Sequence, residues 1–138
     1  MVHTGSCHCG RIRFEVEGEV DSGMACNCSM CSRKGSLLWF VPREKLRLLS
    51  DENAASTYLF NKHVIKHRFC PTCGIHPYGE GPGPGGVQMA AINLRTLEDF
   101  DLASVPGIAD AAAVLDKLAA DGKITATQFQ TAWAEALK

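Results

Sequence analysis

The sequence predicts a mainly β domain followed by two short helices, and three observations carry that expectation. Between residues 11 and 92, short apolar stretches recur at regular intervals, separated by charged, glycine-rich or proline-containing segments, as in an all-β unit. Beyond Pro106-Gly107 the apolar spacing changes to that of a helix. The chain has 138 residues, 46% hydrophobic and 21% charged, which fits one ordinary domain. Folding at this length removes roughly two thirds of the unfolded chain's surface from water, so the core needs no staple.

The clearest strand is Arg11 to Glu17, where strict alternation places Ile12, Phe14 and Val16 on the buried face. Further strands are expected at Leu37 to Val41, Leu46 to Leu49, Thr57 to Phe60, Val64 to Phe69 and Val87 to Ile92, with Trp39 and Phe40 in the core. In the fifth of these, Ile65, His67 and Phe69 share one face and Val64, Lys66 and Arg68 the other. The run Gly79-Glu80-Gly81-Pro82-Gly83-Pro84-Gly85-Gly86 is too rich in glycine and proline for a strand or helix, so it is expected to be a connecting loop. After it, Ile108, Ala111, Ala112, Leu115, Leu118 and Ala119 mark one helix, stopped by Asp121-Gly122. Thr125 with Gln128 forms a capping-box pattern for a second, with Phe129, Trp133, Ala136 and Leu137 on one side. The expected division is a domain over residues 1–102 and a helical extension over 103–138, packed on that domain or meeting a second copy.

Charge excludes some classes of function. Lys plus Arg number 14 against 15 Asp plus Glu, so no chain-wide field favours nucleic acid or an anionic membrane. The longest strongly apolar run, Leu37 to Val41, is far short of the roughly 18 residues of a membrane helix. Met1-Val2-His3-Thr4-Gly5 lacks the basic-then-apolar order of a secretion signal, and the expected compartment is the cytoplasm.

Seven cysteines fall in three tight groups: Cys7 and Cys9; Cys26, Cys28 and Cys31; Cys70 and Cys73. An odd number cannot pair completely, and in a reducing compartment clustered thiols point to metal or catalysis. Cys70-Pro71-Thr72-Cys73-Gly74 is a knuckle whose turn aims two sulfurs at one point. In Cys7-His8-Cys9-Gly10, an extended backbone would put both sulfurs on one side. Together the two pairs supply the four thiolates of a closed tetrahedral zinc site. Cys26-Asn27-Cys28-Ser29-Met30-Cys31 supplies three, the arrangement of a catalytic zinc with an open position, unless His63, His67 or His76 closes it. Spacing also leaves open a pairing of Cys26 and Cys28 with the knuckle. With both sites filled by zinc the centres are anionic, which suits binding a further thiolate better than making hydroxide from water.

The order C-x-C-G, then C-x-C-S-x-C-x-R-K-G, then R-F-C-x-x-C-G resembles the glutathione-dependent formaldehyde-activating enzyme family, which also includes centromere protein V. The resemblance runs from Ser6 to about Leu102 and takes in Arg33, Lys34, Gly35, Arg68 and Phe69. It implies a Mss4-like zinc-containing barrel or sandwich, with a structural zinc on Cys7, Cys9, Cys70 and Cys73 and a catalytic zinc on Cys26, Cys28 and Cys31. It also implies addition of glutathione to formaldehyde, giving S-hydroxymethylglutathione, a carbon–sulfur lyase chemistry run in the direction of synthesis. The expected partner is therefore a small thiol such as glutathione. The competing reading is a zinc-stabilised binding module without catalysis.

Three further residues are candidates for holding the ligand. Arg33 and Lys34 follow the three-cysteine run and suit a carboxylate, while His76, beside the knuckle, suits the cavity wall or a donor to a sulfur. Lys62, His63, Lys66 and Arg68 form a basic stretch, expected as an exposed strand edge that charge protects.

Overall fold

A computed structural model of the chain describes residues 1–105 apart from Asp21 and Asn27. The helices expected after Pro106 lie outside the described residues. The chain divides at Asp101, and the unit Met1–Asp101 is mainly β, with two antiparallel sheets. Its elements are β1 (Val2–Ser6), β2 (Arg13–Glu17), a single helical turn α1 (Cys31–Lys34), β3 (Leu38–Pro42), β4 (Leu46–Leu48), β5 (Ser56–Tyr58), β6 (Lys66–Phe69), β7 (Tyr78–Pro82) and β8 (Gln88–Asn93). The smaller sheet has the order β1-β2-β4 and the larger β3-β8-β7-β6-β5.

The alternation read in β2 sets the core: Ile12, Phe14 and Val16 are almost wholly buried. Phe14 reaches across to Tyr78 of the larger sheet, ring centroids 6.2 Å apart. That reach depends on Gly5, opposite Phe14 in the β1–β2 pair, because a Cβ at Gly5 would overlap the ring. From the larger sheet Trp39, Val41, Ala90, Ile92 and Tyr78 complete the buried set.

Four sequence expectations are corrected. Tyr78–Pro82 is a strand with neighbours on both sides, not a loop; the turn comes later, at Pro84–Gly86. Ladder bonds from β6 and β8 supply the order that glycine cannot supply by itself, and Pro82 is tolerated because it stands at the strand's end. Second, β6 starts at Lys66 and is an interior strand, so Arg68 does not lie on an exposed edge. Its guanidinium donates to Glu80 Oε2 at 3.1 Å, while Arg43 Nε donates to Glu80 Oε1 at 2.9 Å. Third, Phe40 is 47% exposed: in β3 it faces away from Trp39 and Val41. Fourth, the Cys7–Cys9 pair sits in a turn, not in extended backbone.

No helix among the described residues is long and apolar enough to cross a membrane.

Candidate functional site

Two hairpin tips, one from each sheet, bring four cysteines together. Between β1 and β2 the chain turns at Cys7–Gly10, closed by Cys7 N–H donating to the Ile12 carbonyl at 3.0 Å. Between β6 and β7 it turns at Cys70–Gly74, closed in the same way by Cys70 N–H to the Ile75 carbonyl at 2.8 Å. Gly10 and Gly74 take matching left-handed φ values of 83° and 80°, which only glycine adopts without cost. Each turn also points a backbone donor at a sulfur: Ile12 N–H to Cys7 Sγ at 3.3 Å, Cys73 N–H to Cys70 Sγ at 3.5 Å.

The sulfurs of Cys7, Cys9, Cys70 and Cys73 all lie within 4.8 Å of one another. Cys7 Sγ is 3.7 Å from Cys9 Sγ, and Cys9 Sγ is 3.6 Å from Cys70 Sγ. A tetrahedron of sulfurs 2.3 Å from a central ion has edges of about 3.8 Å, whereas a disulfide is about 2.05 Å long. The spacing therefore fits four thiolates around one cation. The pairing with the knuckle that the sequence left open falls to Cys7 and Cys9.

The second group comes from one short stretch of chain, Cys26 to Cys31. Cys26, Cys28 and Cys31 also have sulfurs within 4.8 Å of one another, and among the described residues no histidine or carboxylate joins them. Cys31 opens α1 and donates its N–H to Cys28 Sγ at 3.3 Å. Gly35, at φ 64°, ends α1 and turns the chain into β3. Asn27 lies outside the described residues, and Ser29 acts through its carbonyl, which accepts from Ser32 Oγ and Arg33 Nη1.

Sulfur ionisation in both groups follows these contacts. The backbone N–H of Cys31 chiefly draws Cys28 down to about 7, while burial pushes Cys31 up to about 12. The Ile75 N–H chiefly brings Cys73 down to about 6. Crowded sulfurs cannot all be anionic without a cation, so each cluster divides into acidic thiols and thiols that keep their protons. Metal binding expels those protons. Soft donors, spacing and backbone N–H···S bonds all suit a divalent ion such as zinc.

The three sulfurs open on a cavity of about 330 Å³. Its floor is a row of registered residues across the larger sheet: Phe40 beside Ala91, Ala91 beside Gly79, Gly79 beside His67. A Cβ at Gly79 would meet nothing nearer than the Lys66 carbonyl, at 3.4 Å, so glycine here matters for the space it leaves. His67 stacks on Phe60, centroids 5.1 Å apart. Lys34 and His76 line the same cavity, with Ser36 and Asn93. His76 Nδ1 is buried and has no hydrogen-bond partner among the described residues, and Asn93 Nδ2 donates to the His76 carbonyl at 3.0 Å. Burial, then the charge of Lys34, lowers both His67 and His76, which favours neutral rings. Burial likewise lowers Lys34, against the pull of the nearby sulfurs.

Arg33 does not line this cavity, and its guanidinium donates to the Ser29 carbonyl at 2.7 Å. His63 is exposed and, like His67 and His76, stays outside the three-sulfur group. Sequence reasoning missed Asn93, Ser36 and Arg95. The last lines a neighbouring cavity of about 420 Å³ that shares Lys34, Ser36, His76 and Asn93 with the first. Ser36, Asn93 and Arg95 are single polar residues beside apolar ones, with no spacing that marks them as a group.

Fold and clusters together define a β-rich domain with two cysteine clusters able to hold metal ions. The family model for glutathione-dependent formaldehyde-activating enzymes matches residues 2–108, and the chain belongs to that family. It is also similar to a crystal structure of a Rhodobacter sphaeroides protein solved as a Northeast Structural Genomics target. The TM-score is 0.64 and the identity 28%, covering 72% of this chain and 92% of that one.

Proposed function

We propose that the protein is a zinc-dependent carbon–sulfur lyase that joins a thiol to an aldehyde and reverses the addition, with S-hydroxymethylglutathione as the adduct of glutathione and formaldehyde. One observation carries this reading: three cysteine sulfurs, with no fourth ligand among the described residues, line one cavity with Lys34 and His76. Zinc bound there supplies an open position for an incoming thiolate and lowers the pKa of the thiol that takes it.

The remaining work belongs to the chain. Lys34 sets a positive charge where the thiol's negative charge develops and where a carboxylate of its carrier docks. His76, held neutral and lining the cavity, is able to accept the thiol proton and return it to oxygen. In the forward step the S–H proton leaves, an S–C bond forms, and the carbonyl π bond becomes a C–OH that takes the proton. No electrons are gained or lost overall, and the reverse step breaks the same S–C bond. Confinement beside the sulfurs raises the effective concentration of the two partners.

Within this reading the two sheets form a Mss4-like sandwich. The second ion, on Cys7, Cys9, Cys70 and Cys73, is structural. The ligand is a small thiol, and the compartment is the cytoplasm, where thiols stay reduced.

Elemental analysis is expected to give two zinc ions per chain. Exchange spectroscopy of formaldehyde with glutathione is expected to show a rate above the spontaneous one that disappears in Cys28→Ser. No enhancement at any protein concentration would overturn the enzyme and leave the binding module.

A further inference from the structure

The three-cysteine cavity does not end at the sulfurs. A second cavity of about 320 Å³ adjoins it, sharing Phe40, Ile65, Gly79 and Ala91. Its floor continues the glycine pattern of β7, with Gly81 registered against Met89 as Gly79 is against Ala91. The one charged residue lining it, Glu80, already accepts from Arg43 and Arg68. The sulfur cavity also adjoins the one of about 420 Å³. Lys34 and Arg95 thus line the one neighbouring cavity, while no cation lines the other. Phe40 and Ile65, 47% and 52% exposed, stand in water at the mouth of the apolar side.

A ligand matching this layout is charged at one end, bears sulfur in the middle and is apolar at the other end. Formaldehyde contributes a single carbon and has no use for the slot. We infer that the aldehyde half of the adduct carries an alkyl or aryl arm, which lies along Gly79 and Gly81 between Phe40 and Ile65. This rests on the thiol–aldehyde reading above and extends its substrate class from formaldehyde to aldehydes with several apolar carbons. The addition balances as before, with the arm as a spectator on the carbonyl carbon.

The test uses stable thioethers in place of the adduct: S-methylglutathione and S-hexylglutathione, titrated into the zinc-loaded chain by calorimetry. Each buried methylene tightens binding roughly fourfold, so partial burial of the hexyl chain gives a preference of at least about thirtyfold. Gly81→Val fills the slot and is expected to reduce that preference to about threefold or less. Ile65→Ser, at a half-exposed side chain that folding tolerates, is a second variant and is expected to lower it as well. Hexanethiol against ethanethiol repeats the comparison without glutathione.

Chain-length preference in both series, lost in the variants, supports the slot. Preference in the simple thiols alone supports the slot but overturns glutathione as the carrier. No preference in either series overturns the slot, and the formaldehyde exchange experiment then judges the enzyme reading separately. A preference that survives both variants overturns the placement of the arm.

Discussion

The two cysteine clusters use the same donor atom in opposite ways. The four-sulfur cluster is assembled from two hairpin tips that belong to different sheets, and its two pairs satisfy each other. The three-sulfur cluster is local, written within six consecutive residues, and its unfilled side faces a cavity instead of another turn. A ligand set gathered from distant strands is a statement about the fold, because no part of it exists until the strands are in place. One gathered from a short local stretch costs little fold to build and leaves the rest of its shell free for chemistry. The difference teaches that the number of sulfurs matters less than where their backbones come from.

The largest expected effect of breaking this contrast is Cys70→Ser. Structural zinc sites are worth about 10–16 kcal/mol, as much as the whole stability of a typical domain. The variant is expected to lose cooperative thermal unfolding. If it melts like the parent, the fold does not depend on that cluster. Next is Cys28→Ser, expected to take the zinc content from two to one per chain while the near-ultraviolet spectrum and melting stay close to the parent. A chelator titration sharpens the same point without mutation: the three-sulfur ion is expected to leave first, and the fold to fail only when the second leaves.

A smaller effect concerns the floor of the cavity. Glu80, mostly buried between Arg43 and Arg68, holds β7 to its surroundings, and Glu80→Ala leaves two guanidiniums facing each other. Breaking such a pair costs about 3 kcal/mol, read from the urea midpoint. Smallest is a pH effect from His67 and His76. Both are lowered in the folded chain, so as pH falls below about 6.5 the unfolded chain takes up protons first. The contribution of these two rings to stability is therefore constant above that pH and declines over the window from there down to the folded-state values. The acid slope of the double variant His67→Gln, His76→Gln is expected to be shallower than the parent's, and equal slopes would show that neither ring is held neutral.

The clusters and the strands with strong alternation were legible from residues alone. β2 announces itself because Ile12, Phe14 and Val16 each face the core, and the sulfur groups because their spacing is local. β1 and β7 were not legible, for one physical reason. Val2–Ser6 buries His3 and Gly5, and Tyr78–Pro82 carries two glycines, so neither shows apolar alternation. Their order comes from the ladders beside them and from close packing, such as Phe14 over Gly5, which a chain read one residue at a time does not display. The cavity had the same fate: its floor is defined by the missing side chain of Gly79, and its charged lobe by Arg95, whose position depends on the end of β8. Phe40 was misread because apolar character does not tell which of two faces meets the core.

The meeting of the two hairpin tips bears on how long the molecule stays folded. Cys9 and Cys70 are 61 residues apart, and closing a loop of that length in a flexible chain costs about 3–4 kcal/mol. An unfolded chain therefore offers an ion two weak two-sulfur clips in place of one four-sulfur cage. With an ion held by all four sulfurs, separating the two hairpin tips would require breaking metal–sulfur bonds, so the lifetime of the native state would follow the residence time of that ion.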